Sequence, residues 1–281
     1  MSRRRGSRRE AVSEDAPGPV RRRFGQNFLH DPAILQRIVR AIDPRPQDRM
    51  LEIGPGRGAL TGPLLERLER LEAVEIDRDL AAALRERFPP ERLILHTGDA
   101  LALDLADLGE TPHDGWRVVG NLPYNISTPL LFHLLGQSER IRDMHFLLQR
   151  EVVERITAGP GSKRYGRLSV MVAARARATE LLGVPPGAFR PPPKVHSAVV
   201  RIVPDTEPQV PADRLPAFAA LVNRAFSSRR KTLRRGLAGL LEATDIEAAG
   251  LDPGQRPETV DIAGFDALAR RTRDPAPDPA E

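Results

Sequence analysis

Cysteine is absent from the 281-residue chain. Every disulfide, thiolate nucleophile, iron–sulfur cluster and cysteine-based zinc site is excluded with it. Lysine is scarce, standing only at Lys163, Lys194 and Lys231, so the formal net charge of +5 is carried by arginine. The excess suits an anionic partner such as nucleic acid, and arginine favours bidentate phosphate contacts; a compositional bias of the source would place the same residues. No run approaches the roughly 20 apolar residues of a membrane span. The arginine clusters of "MSRRRGSRREAVSEDAPGPVRRR" have no apolar stretch behind them, so this is not a secretory signal. The expectation is a cytoplasmic protein, a monomer without membrane contact, with residues 1–20 as a disordered basic arm.

What is present is an alternation of strand and helix patterns. "HDPAILQRIVRAI" offers Asp31 as N-cap, Pro32 at the first helical position and an apolar face of Ile34, Leu35, Ile38 and Ile42. Strand patterns at Met50–Ile53, Glu72–Ile76, Arg92–His96, Trp116–Gly120 and Asp143–Gln149 are separated by helical patterns, which predicts a mostly parallel α/β sheet. "ATELLGV" and "SAVVRIVP" are joined by "PPGAFRPPPKVH", too rich in proline for a crossover helix, so these two strands should pair antiparallel at one edge. Beyond Pro204 only helical patterns follow. The expected organisation is an α/β domain over 21–204 and a small all-helical domain over 205–281 that ends in a frayed tail.

Three features locate the chemistry. "LEIGPGRGALT" puts Gly54, Gly56 and Gly58 between a strand and a helix, where a doubly wound sheet binds nucleotides; alone, a tight turn would explain it as well. Glu75 ends the next strand, about 20 residues on, where a carboxylate can accept both hydroxyls of a ribose. Asp99 of "GDA" ends the third strand and can accept from an adenine amine. Without the Lys or Ser/Thr of a P-loop, the ligand should be a nucleoside rather than a triphosphate. In "GNLPYNIS", the side-chain oxygen of Asn121 and a backbone carbonyl at Leu122 or Pro123 can accept the hydrogens of a base's exocyclic amine and favour a pyramidal nitrogen. Tyr124 offers a ring on which the base stacks. These roles suit S-adenosylmethionine as methyl donor, a planar amine as acceptor and no metal.

Taken together, "RRRFGQNFLHD", "LEIGPGRGALT", "VEIDRDL", "GDA", "GNLPYNISTPLLFHLL", "DMHFLLQREVVERI", "YGRLSVM", "FRPPPKVHSAVVRI" and "AFSSRRKTLRR" resemble the bacterial small-subunit ribosomal RNA adenine dimethyltransferases, the kasugamycin-sensitivity family, over roughly Arg21 to Arg271. The resemblance implies a Rossmann-like, S-adenosylmethionine-dependent methyltransferase that dimethylates two adjacent adenosines in the hairpin near the 3′ end of 16S rRNA, within the immature small subunit. It places Gln26, Asn27, Leu29, Gly54, Gly56, Glu75, Ile76, Asp99, Ala100 and Asn121 at the donor, with Glu52 supporting the glycine loop. Asn121, Leu122, Pro123 and Tyr124 become the catalytic loop. Phe189 becomes a second stacking face, whereas without the resemblance it reads as packing under a proline loop. His196 stands where the family more often has Asp.

The run "SSRRKTLRR" predicts a helix from near Arg229 whose Arg229, Arg230, Lys231, Arg234 and Arg235 hold rRNA by its backbone, with Leu233, Leu237 and Leu240 on the buried side. Rival readings are a large-subunit rRNA methyltransferase of the antibiotic-resistance type, an assembly factor with methylation as a secondary task, and a nicotinamide dehydrogenase. The tight glycine spacing disfavours the last.

Overall fold

The computed structural model describes residues 27–228 and 230–272. The arm at residues 1–20, Gln26, Arg229 and the end of the tail lie outside the described residues. The chain opens with β1 (Phe28–Leu29) and α1 (Pro32–Ile42), then β2 (Met50–Ile53), α2 (Thr61–Leu65), β3 (Leu71–Glu75), α3 (Arg78–Arg87), β4 (Leu93–Thr97), β5 (Trp116–Asn121) and α4 (Ser127–Leu135). It continues through β6 (Ile141–Gln149), α5 (Arg150–Ile156), α6 (Arg167–Ala173), β7 (Ala176–Val184), β8 (Phe189–Arg190) and β9 (Ser197–Pro204). Four helices follow: α7 (Leu215–Ser227), α8 (Leu233–Gly236), α9 (Ala243–Ala248) and α10 (Ile262–Ala269).

Seven strands form one sheet in the order β4-β3-β2-β5-β6-β9-β7. β4 to β6 run parallel, while β9 is antiparallel to both β6 and β7. The mostly parallel sheet with an antiparallel edge pair is therefore as expected. The strand order reverses between β2 and β5, and at such a switch point the loops leaving the two carboxyl ends part to open a crevice. The glycine loop leaves β2 and "NLPY" leaves β5. Where they separate, Gly120 is required by close approach: a Cβ there would lie 2.6 Å from the carbonyl oxygen of Ile53.

Helices cover both faces. Asp31 caps α1 as expected, its Oδ1 accepting from the amides of Ala33 and Ile34 at 2.9 and 3.1 Å. The far end of α1 is held by buried Arg117, which donates to the carbonyls of Ile42 and Asp43 and pairs with Asp48 and Asp143. A short antiparallel pair absent from the sequence reading, β1 with β8, ties Phe28 to Arg190 and Leu29 to Phe189. An apolar cluster joins α6 to the helices after β9 through Tyr165, Val170, Phe218, Leu221, Leu233 and Phe265.

The expected basic helix is corrected. Ser228 leaves helical geometry, the amide of Lys231 bonds back to the Ser228 carbonyl in a turn, and Thr232 is the N-cap of the four-residue α8. The amides of Leu233 and Arg234 are taken by the carbonyls of Gln255 and Pro253, so α8 starts against the following loop rather than as a continuation of α7. Leu233 and Leu237 are fully buried, but Leu241 rather than Leu240 completes the buried side.

Candidate active site

A single cleft at the switch point is lined by Asn27, Leu29, Glu52, Gly54, Gly56, Glu75, Ile76, Asp99, Ala100 and Asn121 to Tyr124. The structure thus brings together every residue expected at the donor from the sequence that lies among the described residues, and with them Asn121 to Tyr124.

Each side chain is placed by its strand end. Glu75 closes β3 with its carboxylate turned under the glycine loop: Oε2 accepts from the amide of Gly56 at 3.0 Å and Oε1 from that of Asp77 at 2.9 Å. Burial raises its pKa above the ordinary carboxylate value, while these backbone donors act in the opposite sense. A carboxylate offers about four acceptor positions. Glu75 can therefore hold the loop and still receive ligand hydroxyls. Glu52, 2% exposed, accepts from the Thr61 hydroxyl at 2.7 Å and so links β2 to the first residue of α2. Burial, against which the Thr61 bond works, pushes its pKa up to about 7. Asp99 caps the turn at Ala100 by accepting from the amide of Leu101.

Two features leave room in the cleft for a planar ligand. Gly54, at φ +66°, has open space where a Cβ would stand, so the backbone is bare to a ligand at that point. Ile76 lines the cleft and is 48% exposed, and an exposed apolar side chain there suits the face of a purine.

The loop of Asn121 to Tyr124 is fixed at both ends. Leu122 donates its amide to the Leu147 carbonyl, and the Pro123 carbonyl closes a turn on the amide of Ile126. The Asn121 Nδ2 donates to the Asn27 carbonyl at 2.9 Å. Since a carbonyl can only accept, this bond fixes which end of the amide is the donor and leaves Oδ1 as the acceptor end. Tyr124 is half-buried; its hydroxyl lies 2.8 Å from Ser197 Oγ, and burial keeps its phenol pKa raised.

Phe189 is a correction. At 2% exposure it sits in the apolar cluster that holds Leu29, Ala188 and Val199, and it does not line the cleft. The β1–β8 pairing fixes it there, the packing role that the residues alone suggested. Arg230, Lys231, Arg234 and Arg235 are exposed, in the turn and short helix described above.

The sequence reading missed Phe28, whose ring lies where a Cβ on Gly56 would meet it at 3.2 Å and carries the Arg57 guanidinium 4.5 Å from its centroid. It also missed Thr61 and Ser197, and His145, a buried cleft residue whose Nδ1 has no hydrogen bond and whose pKa burial lowers to about 4. All four lie inside sequence motifs named above, but nothing in their local pattern set them apart from their neighbours.

Among the described residues no cluster of His, Asp and Glu could hold a metal ion, and no helix is long and apolar enough to cross a membrane. Residues 19–266 match the family described as ribosomal RNA adenine dimethylase. The ribosomal RNA small subunit methyltransferase A of Thiobacillus denitrificans is 56% identical over 248 residues, 88% of this chain and 96% of the relative. The protein of the same name from Pseudomonas fluorescens is 53% identical over 270 residues, 96% of this chain and 99% of the relative. Among solved structures, a dimethyladenosine transferase from Plasmodium falciparum matches with a TM-score of 0.71 at 25% identity, over 86% of this chain and 95% of that one. The 23S rRNA methyltransferase ErmE matches with a TM-score of 0.67 at 27% identity, over 88% and 99%.

Proposed function

The chain belongs to the ribosomal RNA adenine dimethylase family, and from that premise we propose that it uses S-adenosylmethionine to dimethylate two adjacent adenosines in the hairpin near the 3′ end of 16S rRNA, in the immature small subunit. The relatives named for the small subunit are 53% and 56% identical, against 27% for the large-subunit enzyme, which favours the small-subunit substrate. On this reading the enzyme acts as a cytoplasmic monomer, and the helices beyond residue 205 bind RNA.

The cleft fits the donor. Gly54 exposes backbone, Glu75 keeps acceptor positions for ribose hydroxyls, Asp99 stands at the end of β4 for an adenine amine, and Ile76 covers the base. S-adenosylmethionine supplies an electrophilic methyl group on a sulfonium sulfur.

The chain's task is to prepare the acceptor. An adenine amine is a poor nucleophile because its lone pair is delocalised into the ring. Asn121 Oδ1 and the carbonyl of Leu122 accept its hydrogens, localising the lone pair toward the donor; the Pro123 carbonyl already takes one hydrogen bond, from the Ile126 amide, which favours Leu122 over it. Tyr124 stacks on the extruded base. No titrating side chain is needed at the amine. The observation that carries this reading is the bond from Asn121 Nδ2 to the Asn27 carbonyl, because it leaves the amide oxygen as the catalytic acceptor.

The test maps dimethyladenosine in small-subunit rRNA incubated with protein and labelled donor. Asn121→Ala should lower the single-turnover rate by about 100-fold or more while leaving donor affinity within about tenfold, since the lost acceptor acts mainly in the transition state. An intact rate in that variant, or label confined to other nucleotides, would remove the assignment.

A further inference from the structure

Tyr124 leaves β5 on a turn, and a ring carried by a turn must be held if it is to present one face to a base. Its main-chain end is secured by the Pro123 carbonyl bond to the Ile126 amide and by the Ser127 hydroxyl, which donates to the Tyr124 carbonyl at 3.1 Å. Neither bond fixes the direction in which the ring extends from the backbone. The far end of the ring is the phenol oxygen, which lies 2.8 Å from Ser197 Oγ, with either oxygen able to donate.

Ser197 is 0% exposed and is the first residue of β9, paired with Gln149 on one side and Val184 on the other. The carbonyl of the preceding residue, His196, accepts from the amide of Arg150 at 2.9 Å. The hydroxyl is therefore anchored between two sheet strands, while its partner sits on a loop 73 residues earlier. A rigid donor or acceptor on a strand is the kind of support that holds a loop residue in productive geometry.

We infer that Ser197 is a positioning residue for methyl transfer, its buried hydroxyl holding the far end of the Tyr124 ring at the place where the target adenine stacks. The inference rests on the reading above that Tyr124 is the stacking face. Ser197 does not touch the base; it acts through the phenol. The tyrosine hydroxyl thus has a mechanical role, which explains why this position carries Tyr where stacking alone would be served by Phe.

A double-mutant cycle decides it, using the full chain and small-subunit rRNA. Ser197→Ala and Tyr124→Phe each delete one end of the same bond. Each should slow single-turnover transfer about 3- to 10-fold, the range expected for one net hydrogen bond, with donor affinity unchanged. The variant carrying both should be no slower than the slower single, since the bond can be lost only once. Should Ser197→Ala not fold, Tyr124→Phe still reads the bond from its half-buried end. A wild-type rate in Ser197→Ala or Tyr124→Phe, or losses that multiply in the double variant, overturn the inference. Tyr124→Ala separates the two levels: a rate unaffected by it sinks the stacking reading itself, whereas a slow Tyr124→Ala beside a normal Ser197→Ala sinks only the role of Ser197.

Discussion

Glu52 lines the same cleft as Glu75 and Asp99, and its surroundings bring its titration up to near neutral pH. Burial raises its pKa from 4.5 to about 7, with the neighbouring charge of Glu75 acting in the same sense and the Thr61 bond opposing both. A carboxyl whose folded pKa lies above its unfolded value contributes most below the unfolded pKa, and that contribution is lost as pH rises through the folded one. For Glu52 the window runs from pH 4.5 to about 7. Glu75 shifts in the same direction, so the two must be separated by mutation. Glu52→Gln keeps the shape and an acceptor for Thr61 but cannot ionise. The wild type should therefore lose up to about 3 kcal/mol relative to this variant between pH 5 and pH 8 in chemical denaturation; parallel curves would show that Glu52 does not titrate in this range. The position of Glu52 was legible because strand and glycine loop are a local pattern. Its partner Thr61 and the Ser197–Tyr124 bond were not, since pairing between side chains on different elements leaves no periodicity. Phe189 shows the converse: an aromatic beside prolines is equally consistent with a stacking face and with packing, and only the β1–β8 pairing chooses.

Elements were readable where burial imposes a period. β2 and β9 fall at the expected residues, and α1 follows its Asp31 cap. β1 and β8 are two residues each, too short for any alternation to register. The stretch after α7 failed for a different reason. Its leucines keep a helical spacing, which suggests a continuous helix through "KTLRRGLAGLLEA", but α8 stops at Gly236 and Gly239 adopts φ +84°. The apolar spacing survives because turns of chain near helical pitch bury much the same residues, whereas the backbone is interrupted where a left-handed residue is needed. A Cβ on Gly239 would meet nothing within 4 Å, so the cost of adding one is conformational alone. Gly239→Ala should accordingly destabilise the protein by about 1–2 kcal/mol. An unchanged denaturation midpoint would mean that this turn relaxes into another conformation without penalty.

At the scale of the whole molecule, the arginine excess divides by its partners. Arg150, Arg155 and Arg164 pair with Glu151 and Glu154 on and beside α5, and Arg214 and Arg270 pair with Asp266, so much of the surface charge is already compensated. Arg230, Lys231, Arg234 and Arg235 are exposed and take no ion pair among the described residues. Breaking the expected continuous helix changes how these four are displayed, grouping them around a turn and the start of α8, but leaves them uncompensated. The distinction matters for RNA, because a cation that meets a phosphate displaces condensed counterions, whereas one held by a carboxylate must first give up its partner. A-form RNA is gripped mainly through phosphates and 2′-hydroxyls, so contacts from this group should carry affinity without base preference. Replacing Arg234 and Arg235 together with Ala should therefore weaken binding to small-subunit rRNA and reduce the magnitude of the log–log salt slope by roughly 1 to 2, with the same adenosines methylated. Replacing the paired Arg150 and Arg155 should change the slope less. Full affinity with an unaltered slope in the Arg234/Arg235 variant would reduce the group to a solvated surface, and a change in the adenosines modified would show that it reads more than the backbone.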